Sequence, residues 1–258
     1  MLRAAVRLSI TVMVLGIPIT ALGDDDDKDD KDRRLKADPF VFVGKAADCG
    51  GTAGSNIVTA AWLGGMGLPD NGAQNPGTNA GDKRDPHLGL LLSKNGPSAD
   101  CSAAGAEIKG VRGIVVSPNF ELGFDYRNGS HCGAGAPRFN VSYKLHGGGE
   151  EFSFVGGCSN DSTPTAAPQD PLQWSRVRFQ TSNPAESFPP IPAGSTIQSI
   201  TLVFDEGTDT PTAARPSGDL GNPAGIGLSV VDNININGRF IRSGNGIEPK
   251  PGERGRDD

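Results

Sequence analysis

The chain has 258 residues, 24 basic and 30 acidic, for a formal net charge of −6. Its 37 glycines and 20 prolines break helices wherever they fall. The basic residues are scattered through an acidic chain, which argues against a nucleic-acid partner.

At the N-terminus, Arg3 and Arg7 precede an apolar run from Leu8 to Leu22 that closes on Ala21-Leu22-Gly23. Residues 1–23 therefore read as a secretory signal peptide cleaved after Gly23. The run contains Pro18 and falls short of the ~20 residues a spanning helix needs, so no membrane insertion is expected after cleavage. Cleavage leaves 22 basic against 30 acidic residues, a net charge of −8. Residues 24–37 are a run of aspartates, lysines and arginines with almost nothing to bury, expected to be a disordered leader. Residues 38–242 then form one domain, and residues 243–258, with Pro249, Pro251 and no periodicity, a second loose tail.

Within the domain, hydrophobic periodicity selects strands. Phe120, Leu122, Phe124 and Tyr126 alternate with Glu121, Gly123, Asp125 and Arg127. Phe139, Val141, Tyr143 and Leu145 alternate with Asn140, Ser142, Lys144 and His146. Val177 and Phe179 alternate with Arg176 and Arg178, and Ile200, Leu202 and Phe204 with Ser199, Thr201 and Val203. In residues 225–238, Ile226, Leu228, Val230, Ile234 and Ile236 share one parity, which a strand turns into one face. Further strands are expected near residues 40–43, 57–63, 88–92, 108–116 and 152–155. Nine or ten short strands without an amphipathic helix predict an all-β fold: a two-sheet antiparallel β-sandwich, jelly-roll-like. The glycine-rich link His146-Gly147-Gly148-Gly149-Glu150 suits a hairpin, and residues 64–86 are the longest expected loop.

Four cysteines, Cys49, Cys101, Cys132 and Cys158, fit two disulfides in an oxidising compartment. Three connectivities are possible. Cys132 and Cys158 flank the hairpin near Gly148 at comparable distances, which favours that pair and leaves Cys49 with Cys101. No close cysteine spacing suggests zinc.

The segment Leu122-Gly123-Phe124-Asp125-Tyr126-Arg127, the run from His131-Cys132-Gly133 to Phe139-Asn140-Val141, and Phe204-Asp205-Glu206-Gly207-Thr208-Asp209 resemble uncharacterised secreted bacterial β-sandwich proteins. Val231-Asp232-Asn233-Ile234 belongs to the same resemblance, and this strand is also similar to the last strand of jelly-roll carbohydrate-binding modules. The first resemblance implies no activity. The second implies a jelly-roll sandwich with a structural calcium near the last strand and a glycan-binding surface.

Read alone, the parity of its strand places Asp232 among Val230, Ile234 and Ile236, where a carboxylate needs a cation or several N–H donors. Calcium is one solution, and loop amides are the other. Asp205, Glu206 and Asp209 form a second acidic cluster that fits calcium or a solvated turn. Glu121, Asp125, Arg127, Asn140, Ser142, Lys144, Arg176 and Arg178 make one polar face for a hydroxylated or anionic ligand, provided their strands are neighbours; the alternative is an ordinary wet face. Trp62 and Trp174 are candidates for sugar stacking or for the core. Asn128, Asn140 and Asn160 begin glycosylation sequons.

No Gly-x-Ser-x-Gly elbow, His-Glu-x-x-His or phosphate loop is present. The histidines His87, His131 and His146 lie on separate segments. The expectation is a secreted, non-catalytic sandwich binding a glycan or another cell-surface component. The alternatives are a structural or matrix protein without a small-molecule site, and a hydrolase acting on a carbohydrate polymer.

Overall fold

A computed structural model describes residues 34–49, 54, 58–71, 87–95, 101–160, 164–207 and 227–244. The expected signal peptide, most of the leader, Asp209, most of the 64–86 loop, most of the C-terminal tail and Ser162 of the Asn160 sequon lie outside the described residues.

Among the described residues there are thirteen strands: β1 Lys36–Val43, β2 Val58–Leu63, β3 Gly89–Lys94, β4 Ser102–Lys109, β5 Glu121–Arg127, β6 Arg138–Lys144, β7 Glu150–Gly156, β8 Thr165–Ala166, β9 Trp174–Gln180, β10 Ser187–Phe188, β11 Thr196–Phe204, β12 Leu228–Ile236 and β13 Arg239–Ile241. They form two packed antiparallel sheets, as the alternation predicts. One has six strands in the order β1-β4-β11-β6-β7-β10. The other has the order β2-β3-β12-β5-β9-β8, with β13 paired to β12.

The core lies between the sheets because strands such as β5, β6, β9 and β11 turn their apolar parity inward. Phe124 of the seven-stranded sheet meets Phe139 of the six-stranded sheet with centroids 5.9 Å apart, and Phe179 packs on Phe124 at 6.2 Å. Such tilted contacts suit the ring quadrupoles. Trp62 is fully buried and donates its Nε1–H to the Ala37 carbonyl at 2.7 Å, tying β2 to β1 across the two sheets. The expected hairpin forms between β6 and β7, with Gly147 at φ +71° in its turn.

Two boundaries differ from the sequence reading. The strand expected near residues 108–116 ends at Lys109, where Gly110 and Gly113 take φ of +78° and +87°, and it begins instead at Ser102. Its alternation is muted because Gly105 lies beneath the Phe40 ring, where an added Cβ would fall 2.5 Å from Phe40 Cζ. β1 starts at Lys36, with Leu35 and Ala37 buried, so ordered strand reaches into the segment read as leader.

The disulfides are Cys49–Cys101 and Cys132–Cys158, with Cα separations of 5.8 and 5.3 Å. This is the pairing the hairpin argument favours, and it is compatible with an oxidising environment. No helix among the described residues is long and apolar enough to cross a membrane.

Candidate functional site

The strand β12 does not keep one parity. Its register against β5 shifts between Asp232 and Asn235, and Asn233 sits at φ +47°, a left-handed conformation that asparagine tolerates. Val231, Ile234 and Ile236 point into the core, while Asp232 pairs in register with the outward Asp125. The single-face reading of β12 is therefore corrected: one extra residue moves Asp232 off the face shared by Ile234 and Ile236.

Asp232 is buried nonetheless, because two loop segments cover this part of the seven-stranded sheet. The Asn71 amide donates to the Gln169 carbonyl at 2.8 Å, and Trp174 Nε1–H donates to the Pro69 carbonyl at 3.1 Å. Under that cover, Ala167, Trp174 and Val230 form a small second core. Trp174 is thus packed away from any ligand, and so is Trp62.

The covered polar groups satisfy one another. Asp125, with no exposed surface, accepts from Arg176 Nε at 2.8 Å and from Arg176 Nη2 at 3.0 Å. Arg178 Nη2 adds a contact at 3.3 Å, and Asn233 Nδ2 one at 3.2 Å. Asn233 Nδ2 also donates to Gln169 Oε1, and Asn233 Oδ1 accepts from Arg242 Nε at 2.8 Å. Asp232 accepts from the Asn233 amide at 2.6 Å and from Gln169 Nε2 at 3.5 Å. Glu121 accepts from Asn235 Nδ2 at 2.7 Å and from Gln180 Nε2 at 3.2 Å. Burial pushes the Asp232 carboxyl up to about 8; Asp125 and Asp70 push the same way, against the Asn233 amide and Arg242. Burial also lowers Arg178, opposed chiefly by Asp125.

Calcium needs six to eight oxygen ligands, whereas Asp232 accepts hydrogen bonds from the Asn233 amide and Gln169 Nε2. The Asp125 and Asp70 carboxylates are also near enough to act on Asp232. Among the described residues no group of three or more His, Cys, Asp or Glu side chains is placed to hold a metal.

Asp205 and Glu206, at the end of β11, are engaged elsewhere. Arg138 grips both Asp205 oxygens at 2.6 Å. Glu206 contacts buried His131 Nε2 and accepts the Gly135 amide at 3.0 Å. The pair anchors the loop before β6, beside the Cys132–Cys158 bridge.

The expected single polar face divides. Glu121, Asp125, Arg127, Arg176 and Arg178 lie on paired β5 and β9, whereas Asn140, Ser142 and Lys144 lie on β6 of the other sheet. Arg127 stands apart from the carboxylates, over Trp174 at 5.7 Å.

On the six-stranded sheet, sequence reading missed the aromatic side chains. Phe152 and Phe188 are 43% and 45% exposed, and Phe154 lies between them, pairing in register with Phe188 and 4.9 Å from Phe152. Asn140 pairs with Phe154 and Ser142 with Phe152. Ser142 Oγ–H donates to Glu150 at 2.5 Å, and Arg138 stacks over Phe154 at 5.1 Å. The run Phe152-Ser153-Phe154-Val155 gives little warning, because apolar residues on both parities read as a strand buried on both sides.

No protein-family model matches the chain, and no curated protein or solved structure is significantly similar to it.

Proposed function

We propose that this chain is a secreted, non-catalytic β-sandwich that binds carbohydrate on the outer face of its six-stranded sheet. The observation that carries the reading is the exposed pair Phe152 and Phe188, joined by the half-buried Phe154 and bordered by Asn140, Ser142 and Glu150. Keeping large aromatic side chains in water gives up burial worth about 1.5–3 kcal/mol each, which favours a role in contact. Aromatic rings cover the apolar side of a pyranose, while amides, hydroxyls and carboxylates take its hydroxyl groups. The signal grammar of residues 1–23 and the two disulfides support secretion. The covered cluster around Asp125 supports a structural role, since its carboxylates and guanidiniums already have partners.

The test is co-sedimentation with insoluble polysaccharides, comparing the native chain with Phe152→Ala/Phe188→Ala. Retention that disappears in the variant, at an unchanged melting temperature, is the expected result. Failure to bind any polysaccharide would overturn the reading in favour of a structural or matrix role.

A further inference from the structure

One register line crosses all six strands of this sheet. Phe188 of β10 pairs with Phe154, Phe154 with Asn140, Asn140 with Thr201, Thr201 with Glu107, and Glu107 with Asp38 of β1. These side chains share the outer face because they alternate with core residues such as Val155, Val141, Leu202 and Ala106. Five inter-strand steps of about 4.8 Å make the row about 24 Å long, room for several pyranose rings end to end.

Its chemistry changes along its length. Phenylalanines occupy one end, an amide and a hydroxyl the middle, and carboxylates the far end. Asn140 Oδ1, at mid-row, is shielded and has no hydrogen-bond partner among the described residues. The Phe40 ring lies over Gly105, adding an apolar surface beside the far end. The charges nearby largely balance: Glu107 pairs with Lys109 at 2.6 Å and Asp205 with Arg138 at 2.6 Å, and Lys36 and Lys144 stand against Asp38 and Glu150 on the same face. A face so compensated offers an ionic ligand little net attraction, and it suits hydroxyl groups.

We infer that the ligand is a linear, uncharged polysaccharide laid straight across the strands along this row, an inference that rests on the carbohydrate reading above. The rings at Phe154 and Phe188 stack one end of the bound stretch. Asn140, through its Nδ2–H, and Thr201 hydrogen-bond its middle, and Glu107 accepts hydrogen bonds from hydroxyl groups at the other end.

Isothermal titration of the full secreted chain with uncharged β-1,4-linked gluco-, manno- and xylo-oligosaccharides, from dimer to hexamer, tests this. The expected result with at least one series is affinity rising about tenfold or more with length. Added salt should have no effect, and Asn140→Ala and Thr201→Ala should weaken the hexamer while sparing the dimer. Length-independent binding that is lost only in the Phe152→Ala/Phe188→Ala variant would overturn the extended row and leave the carbohydrate reading standing. Salt-sensitive preference for a carboxymethylated hexamer would overturn the uncharged class alone. No binding of any oligomer, together with no retention on insoluble polysaccharide, would overturn both.

Discussion

Asp232 faces Asp125 across one antiparallel strand pair, and both carboxyl groups are buried. Asp125 has Arg176 and Arg178 to hold its charge, whereas Asp232 has an amide on one oxygen and a distant Gln169 on the other. Burial, with the nearby Asp125 charge pushing the same way, raises the Asp232 carboxyl to about 8, so the proton belongs to Asp232.

A pH-dependent stability follows. The folded chain holds the Asp232 proton up to about pH 8, from an ordinary value of 3.8 that the unfolded chain retains. The folded state therefore binds more protons between these limits. The stabilisation is complete below about pH 4 and is lost as pH rises towards 8, on the order of 4 kcal/mol by pH 7. Urea titrations of the native chain and Asp232→Asn should diverge across this window, the variant gaining relative stability as pH rises. Parallel pH profiles would sink the assignment.

Truncating Arg176→Ala should destabilise the fold by about 3–5 kcal/mol, because it leaves the Asp125 charge buried with fewer partners. The arginine is partly exposed, so loss of packing is the smaller effect. Replacing both partners at once, Asp125→Leu with Arg176→Met, should cost less than Arg176→Ala alone. Equal losses in chemical denaturation would mean that the charge is not what matters.

The bridges should differ in worth. Cys49 and Cys101 are 52 residues apart, Cys132 and Cys158 only 26. On chain entropy, removing the first as a double serine variant costs about 4 kcal/mol and removing the second about 3.5 kcal/mol. A clear reversal of that order in urea titrations would show that native packing around buried Cys132 and Cys158 outweighs the loop term.

The alternation in β5, β6 and β9 made those strands legible, because polar and apolar side chains took opposite parities. β4 was hidden by Ala103, Ala104, Gly105 and Ala106, small residues that serve both faces alike. The bulge in β12 did leave a trace: Val230 and Val231 are followed by Asp232 and Asn233, two apolar then two polar residues where alternation would forbid either pair. Parity assigns a side chain to a face but cannot say which strands are neighbours. That is why alternation alone puts Asn140 and Arg176 on one surface, although β6 and β9 belong to different sheets. The Phe152–Phe154 pair was illegible for a different reason: an exposed phenylalanine and a buried one look the same in a sequence.

The two outer surfaces of the sandwich differ in how tightly their side chains depend on one another. Around Asp232 on the loop-covered sheet, each polar group depends on several others, so single substitutions there strike the fold and only coordinated sets survive. On the outer face of the six-stranded sheet, Phe152 is 43% exposed and meets Phe154 edge-on, beside half-buried Asn140 and Thr201. Replacing an exposed side chain there changes what the face can touch and leaves the core between the sheets in place.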